Sequence, residues 1–177
     1  KKRNEEAVKT LLAGSKLVVD NDLQLLQFYS NLADNYNTLK NYTESDKYFE
    51  KALVIDSRDP LILNNYAYYL SVRNENLEKA ESMSKLSNEI RPDQASYEDT
   101  YGWILFMMGK YTDAKIWLQK ALDNGGANNG TILEHMGDTL FKLGNTAEAV
   151  EYWKRAKTAG DTTDKIDQKI KDQKLYE

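Results

Sequence analysis

From Ala33 to Ala156 the apolar and small positions of the chain recur at a fixed interval. One small residue stands at Ala33, Ala67, Gly102 and Gly137, a second at Ser45, Ala80, Ala114 and Ala149, and a third at Ala52, Ser87, Ala121 and Ala156. Successive equivalents lie 34 or 35 residues apart, the span of a helix–turn–helix unit that stacks on copies of itself (about 34 residues). In the first unit Tyr29, Leu32, Ala33 and Tyr36 fall at i, i+3, i+4 and i+7, one face of a helix. A second helix carries Tyr48, Phe49, Ala52, Leu53 and Ile55 and stops before Ser57-Arg58-Asp59-Pro60. Asn41-Tyr42-Thr43 reads as the turn between them, with Thr43 or Ser45 near the start of the second helix. The small residues predict a close crossing of the two helices, Ala33 against Ser45, where a larger side chain overpacks by about 1–3 kcal/mol.

The eight places Tyr29, Leu32, Ala33, Tyr36, Ser45, Phe49, Ala52 and Ser57 resemble the tetratricopeptide-repeat (TPR) pattern. That pattern has a large residue, Leu, a small residue and Tyr on the first helix, then a small residue, an aromatic, Ala and Pro on the second. Only Ser57 departs, and Pro60 follows closely. The first unit spans residues 26–59. In the second, 60–94, Leu63, Tyr66, Ala67, Leu70, Ala80, Ser87 and Pro92 fill the corresponding places. Ser84 replaces an aromatic there, which predicts looser packing, and one residue is inserted around Asn74-Glu75-Asn76. The third, 95–129, matches through Tyr101, Gly102, Leu105, Gly109, Tyr111, Ala114, Leu118 and Ala121, with Glu98 where a large apolar residue is usual. The fourth, 130–163, matches through Leu133, Met136, Gly137, Leu140, Gly144, Ala149, Trp153 and Ala156.

The resemblance implies an all-α, right-handed superhelix of about four repeats. Residues 1–25 are expected to hold a helix from about Asn4 to Asp20, with Ala7, Leu11, Leu12 and Val18, as the second helix of an incomplete earlier unit. The opening Lys1–Ala7 reads as the interior of a helix, so further residues are expected upstream. Residues 164–177 are expected to form a capping helix, whose seam of Ile166 and Ile170 runs along a charged, solvated face.

Composition narrows the chemistry. The net charge of −4 and pI near 5.2 argue against general nucleic-acid binding. The absence of cysteine excludes disulfides, thiolate metal sites and thiol nucleophiles. No apolar run approaches the roughly 18–20 residues of a membrane span. Asp123 and Glu134 have the separation of a calcium loop's first and last ligands, but Gly125 and Ala127 stand where oxygen ligands are needed, so a glycine-rich turn is the reading. Gly125–Gly130 lacks the Lys-Ser/Thr of a phosphate loop. His135 and Asp138 share a helix face, yet no second His or Cys completes a zinc site and no nucleophile is placed with them. Neither catalysis, cofactor nor metal is expected. Asn41-Tyr42-Thr43 and Asn129-Gly130-Thr131 fit the glycosylation pattern, which is too short to carry weight.

What the resemblance implies functionally is a peptide or partner helix held in the groove lined by each unit's first helix. Carried onto this chain, groove positions include Gln27, Asn31, Asp34 and Asn37, then Asn64, Asn65, Tyr68 and Ser71. The third unit contributes Asp99, Thr100, Trp103 and Phe106, and the fourth Glu134, His135, Asp138 and Phe141. Eleven of these are the expected contacts: Asn31, Asp34, Asn64, Asn65, Tyr68, Asp99, Trp103, Phe106, Glu134, His135 and Asp138. Asparagine amides both donate and accept, and so can grip a peptide backbone. Tyr68, Trp103 and Phe106 predict an aromatic patch suited to an apolar anchor. Asp34, Asp99, Glu134 and Asp138 make the groove acidic. TPR proteins that clamp chaperone carboxylates use Lys and Arg at these places, which are lacking here. The expected partner is therefore a neutral to basic peptide with one bulky apolar side chain. A competing reading has the aromatics packing on one another or on an upstream unit. Two further alternatives are an oligomerisation module stacking end to end and an accessory domain of a larger enzyme. The segments 64–71, 99–106 and 132–138 resemble long bacterial TPR solenoids, many exported, which leans localisation to the cell envelope.

Overall fold

A computed structural model describes residues 1–176. Its α-helices are α1 (Lys2–Ser15), α2 (Asp22–Thr38), α3 (Tyr42–Ile55), α4 (Pro60–Val72), α5 (Leu77–Ile90), α6 (Ala95–Met107), α7 (Tyr111–Asp123), α8 (Gly130–Lys142), α9 (Thr146–Ala159) and α10 (Ile166–Asp172). Among the described residues there is no strand. Four hairpins, α2–α3, α4–α5, α6–α7 and α8–α9, stack in chain order, with α1 on α2 and α10 on α9.

The hairpins share one turn. Lys40, Asn74, Gly109 and Gly144 all have positive φ, between 55 and 84°. The next residue's N–H returns to the carbonyl five back: Asn41 to Tyr36, Glu75 to Leu70, Lys110 to Leu105 and Asn145 to Leu140, at 2.9–3.0 Å. This left-handed reversal satisfies carbonyls at the helix end and folds the chain back antiparallel. The first turn is thus Leu39–Asn41, two residues earlier than the sequence predicts. Asn41, rather than Thr43 or Ser45, caps α3, accepting from Glu44 N. Ser45 instead donates to Ala33 O at 2.9 Å across the crossing. A Cβ on Gly137 would lie 2.5 Å from the Trp153 ring, and one on Gly102 would lie 2.8 Å from Leu118 Cγ, so the close approach is real in both later repeats.

Three local readings change. The first helix ends at Ser15, leaving Val18 in the link to α2. Glu98, at an apolar place, is fully buried because Asn124 Nδ2 donates to it at 2.8 and 2.9 Å and Lys120 pairs with it at 3.0 Å. The charged face of the capping segment, expected to be solvated, contains Lys169, which is 2% exposed.

Candidate interaction groove

Helix α6 packs between α4 and α8, so the first helices of the last three hairpins form one wall, and α2 reaches it where Asp34 meets the Tyr69 hydroxyl of α4. The residues expected along it have unequal fates. Asn31 is exposed; Asp34, Asn65, Tyr68 and Trp103 are half-buried; Asn64, Asp99, Phe106, Glu134, His135 and Asp138 are buried. Of the flanking positions, Gln27 is exposed, Asn37 and Phe141 half-buried, and Ser71 and Thr100 buried.

At the α6–α8 end these groups form one cluster. Trp103 stacks between Phe106 and His135, with ring centroids 4.7 and 4.1 Å away. His135 Nδ1 lies 2.9 Å from Asp99 Oδ1. Asp138 accepts from Trp153 Nε1 at 2.8 Å and from Lys169 Nζ at 2.7 and 2.8 Å. Glu134 accepts from Lys169 at 2.8 Å and from Thr163 N at 2.8 Å. Tyr68, the third expected aromatic, meets Tyr69 at 5.9 Å.

The electrostatics follow from that packing. Burial alone would push His135 down, but the charge and hydrogen bond of Asp99, with Asp138 and Glu134 nearby, together raise it above 6.5. Burial would raise Glu134, yet bonds from Lys169 and Thr163 bring it below its ordinary value. Asp138 goes the other way, because burial outweighs Lys169, His135 and Trp153.

At the α2–α4 end the acceptors lack donors. One Asp34 carboxylate oxygen and the Asn64 carboxamide oxygen are buried without a hydrogen-bond partner. Burial raises the Asp34 carboxyl, countered in part by the Tyr69 hydroxyl. The only bond from the Asn64 amide among the described residues is a long one, 3.5 Å to Asn65 Oδ1.

Lys169, Trp153 and Thr163 are the partners that sequence reasoning missed. Ile166, Lys169 and Ile170 fall at i, i+3 and i+4, so the spacing of the seam places Lys169 on the buried face. Among the described residues, no group of three His, Asp or Glu is arranged to hold a metal ion.

The tetratricopeptide-repeat profile matches residues 26–59 and 131–159. Those two segments are tetratricopeptide repeats. The chain is 28% identical over 120 residues to a TPR repeat-containing protein of Pseudomonas aeruginosa, covering 68% of the chain and 20% of that protein. It is 26% identical over 110 residues to the type IV pilus assembly protein PilF of the same organism, covering 62% of the chain and 43% of PilF. It therefore spans less than half the length of either relative. Among solved structures, PilW, a type IV pilus biogenesis factor, superposes with a TM-score of 0.80 at 17% identity, covering 97% of this chain and 79% of that one. The TPR fold is that of an α–α solenoid and a protein–protein interaction scaffold. No helix among the described residues is long and apolar enough to cross a membrane.

Proposed function

We propose that the chain is a non-catalytic scaffold that holds a peptide or partner helix of another protein in its concave groove. The observation that carries this reading is the pair of unsatisfied acceptors, Asn64 Oδ1 and one oxygen of Asp34, on α4 and α2. A buried acceptor without a donor is destabilising by about 1–3 kcal/mol, and a bound segment offering N–H groups relieves that. Donors are what a neutral to basic peptide supplies, with Asn31, Asn65 and Tyr68 beside it and Trp103 and Phe106 receiving its apolar anchor. The partner's cationic groups belong at this open end, because Glu134 and Asp138 already have Lys169. The pilus proteins among its relatives support an envelope location.

The test is capture from a cell extract by wild type and by Asn65→Ala/Trp103→Ala, with bound proteins identified by mass spectrometry. A partner lost only in the correctly folded double variant supports the groove. Equal capture moves function off the concave face. One observation favours a second reading, end-to-end stacking: Leu17, Val19 and Leu23 are 81, 78 and 68% exposed at one edge of the array. A mass by light scattering that rises with concentration, and falls in Leu17→Asp/Leu23→Asp, would favour stacking.

A further inference from the structure

The groove over α6 is already occupied by the chain's own residues. Helix α10 ends at Asp172, and Gln173 adopts the left-handed conformation, φ 51° and ψ 43°. The N–H of Lys174 returns to Lys169 O at 3.3 Å. The reversal lays Leu175 against the buried cluster of Tyr101, Leu105, Phe106 and Ala114. Leu175 and Tyr176, with Trp103, Phe106, Met107 and Tyr111, wall a concave cavity of about 630 Å³.

The two parts of this strap are held differently. Lys169 is buried and bonded to two carboxylates, so α10 is clamped. Leu175 and Tyr176 are only half-buried. The Tyr176 hydroxyl donates to Asp172 within the strap itself, at 2.6 Å, while the Leu175 side chain is held by apolar contact. The cavity's polar wall mixes Lys142, Lys165 and Lys169 with Asp138 and Asp164. No single sign of charge dominates, and selection falls to the apolar pair.

We propose that Leu175 and Tyr176 stand in for the partner. This part of the groove reads an aliphatic residue followed by an aromatic one, and the partner enters by displacing that pair while α10 stays docked. The proposal rests on the groove reading above and adds the chemistry of the anchor, a Leu-Tyr-like pair. A tethered occupant is present at high effective concentration, and a site closed nine-tenths of the time raises a competitor's apparent Kd about tenfold.

The experiment titrates the free peptide Asp-Gln-Lys-Leu-Tyr into the full chain, following the NMR signals of Trp103 and Met107. Wild type is compared with Leu175→Ala/Tyr176→Ala, whose helical circular dichroism and melting temperature verify the fold. The expected result is binding about tenfold tighter to the variant, lost when the peptide's Leu is replaced by Ala. Equal affinity for both chains, or no binding to the variant, overturns the proposal. Capture from extract separates this failure from that of the groove reading. A partner lost in Asn65→Ala/Trp103→Ala but taken up equally by wild type and Leu175→Ala/Tyr176→Ala overturns the stand-in alone. A partner indifferent to both double variants overturns the groove as well.

Discussion

The two ends of the concave wall carry similar side chains in opposite states. On α8, Glu134 and Asp138 are buried and share one lysine from α10. On α2 and α4, Asp34 and Asn64 each leave a buried oxygen without a donor. Asp34 and Asp138 are equivalents three repeats apart, so the repeat pattern alone does not decide whether such a carboxylate is structural or open. The element laid over it decides. The turns differ in the same direction: the left-handed residue is Lys40 or Asn74 in the first two hairpins and Gly109 or Gly144 in the last two.

The largest break in this comparison is Lys169→Met. It leaves two buried carboxylates unpaired and should lower stability by about 3–5 kcal/mol in urea unfolding. Adding Glu134→Gln and Asp138→Asn should recover much of that loss, because the damage lies in orphaned charge. Asn64→Leu should act with the opposite sign at the open end. Removing an unsatisfied buried amide is expected to stabilise by about 1 kcal/mol while reducing partner capture. A mutation that raises the melting temperature and lowers binding would mark that oxygen as kept for a ligand.

The closed end should also respond to pH. His135 on α8 faces Asp99 on α6, with Glu134 and Asp138 on its own helix and Lys169 arriving from α10. Its folded pKa is raised. Its contribution is therefore fully present below about 6.5, the unfolded value, and lost as pH rises through the higher folded value. His135→Gln should flatten that part of the stability profile. Glu134, whose folded pKa is lowered, contributes stability present above the ordinary carboxylate range and lost as pH falls through its depressed value. The smallest expected effect is Lys40→Gly, which relieves a left-handed backbone at φ 62° and should stabilise by about 0.5–1 kcal/mol in thermal melts.

The repeat architecture was legible because close helix crossings admit only small residues, and Ala33, Ala67, Gly102 and Gly137 write that requirement at one interval. The aromatic pair Trp103–Phe106 followed from its one-turn spacing on α6. The stack of Trp103 on His135 did not, because it joins residues from two repeats. Lys169 was read as solvated because lysine is rarely buried. Only the carboxylates of another helix, over thirty residues earlier, reverse the rule. The self-filled groove was equally hidden, since it depends on a left-handed Gln173 turning Leu175 inward.

The lysine clamp also gives the array a direction of unravelling. In a linear stack each unit is held by its neighbours, so melting starts where the final interface is weakest. The α8–α10 region is pinned by a buried charge triad, while Leu17, Val19 and Leu23 beside α2 are exposed and the first two turns carry left-handed Lys40 and Asn74. Amide hydrogen exchange should therefore run as a gradient, fastest in α1 and α2 and slowest in α8 and α9, with the open acceptors sitting on the part of the spring that loosens first.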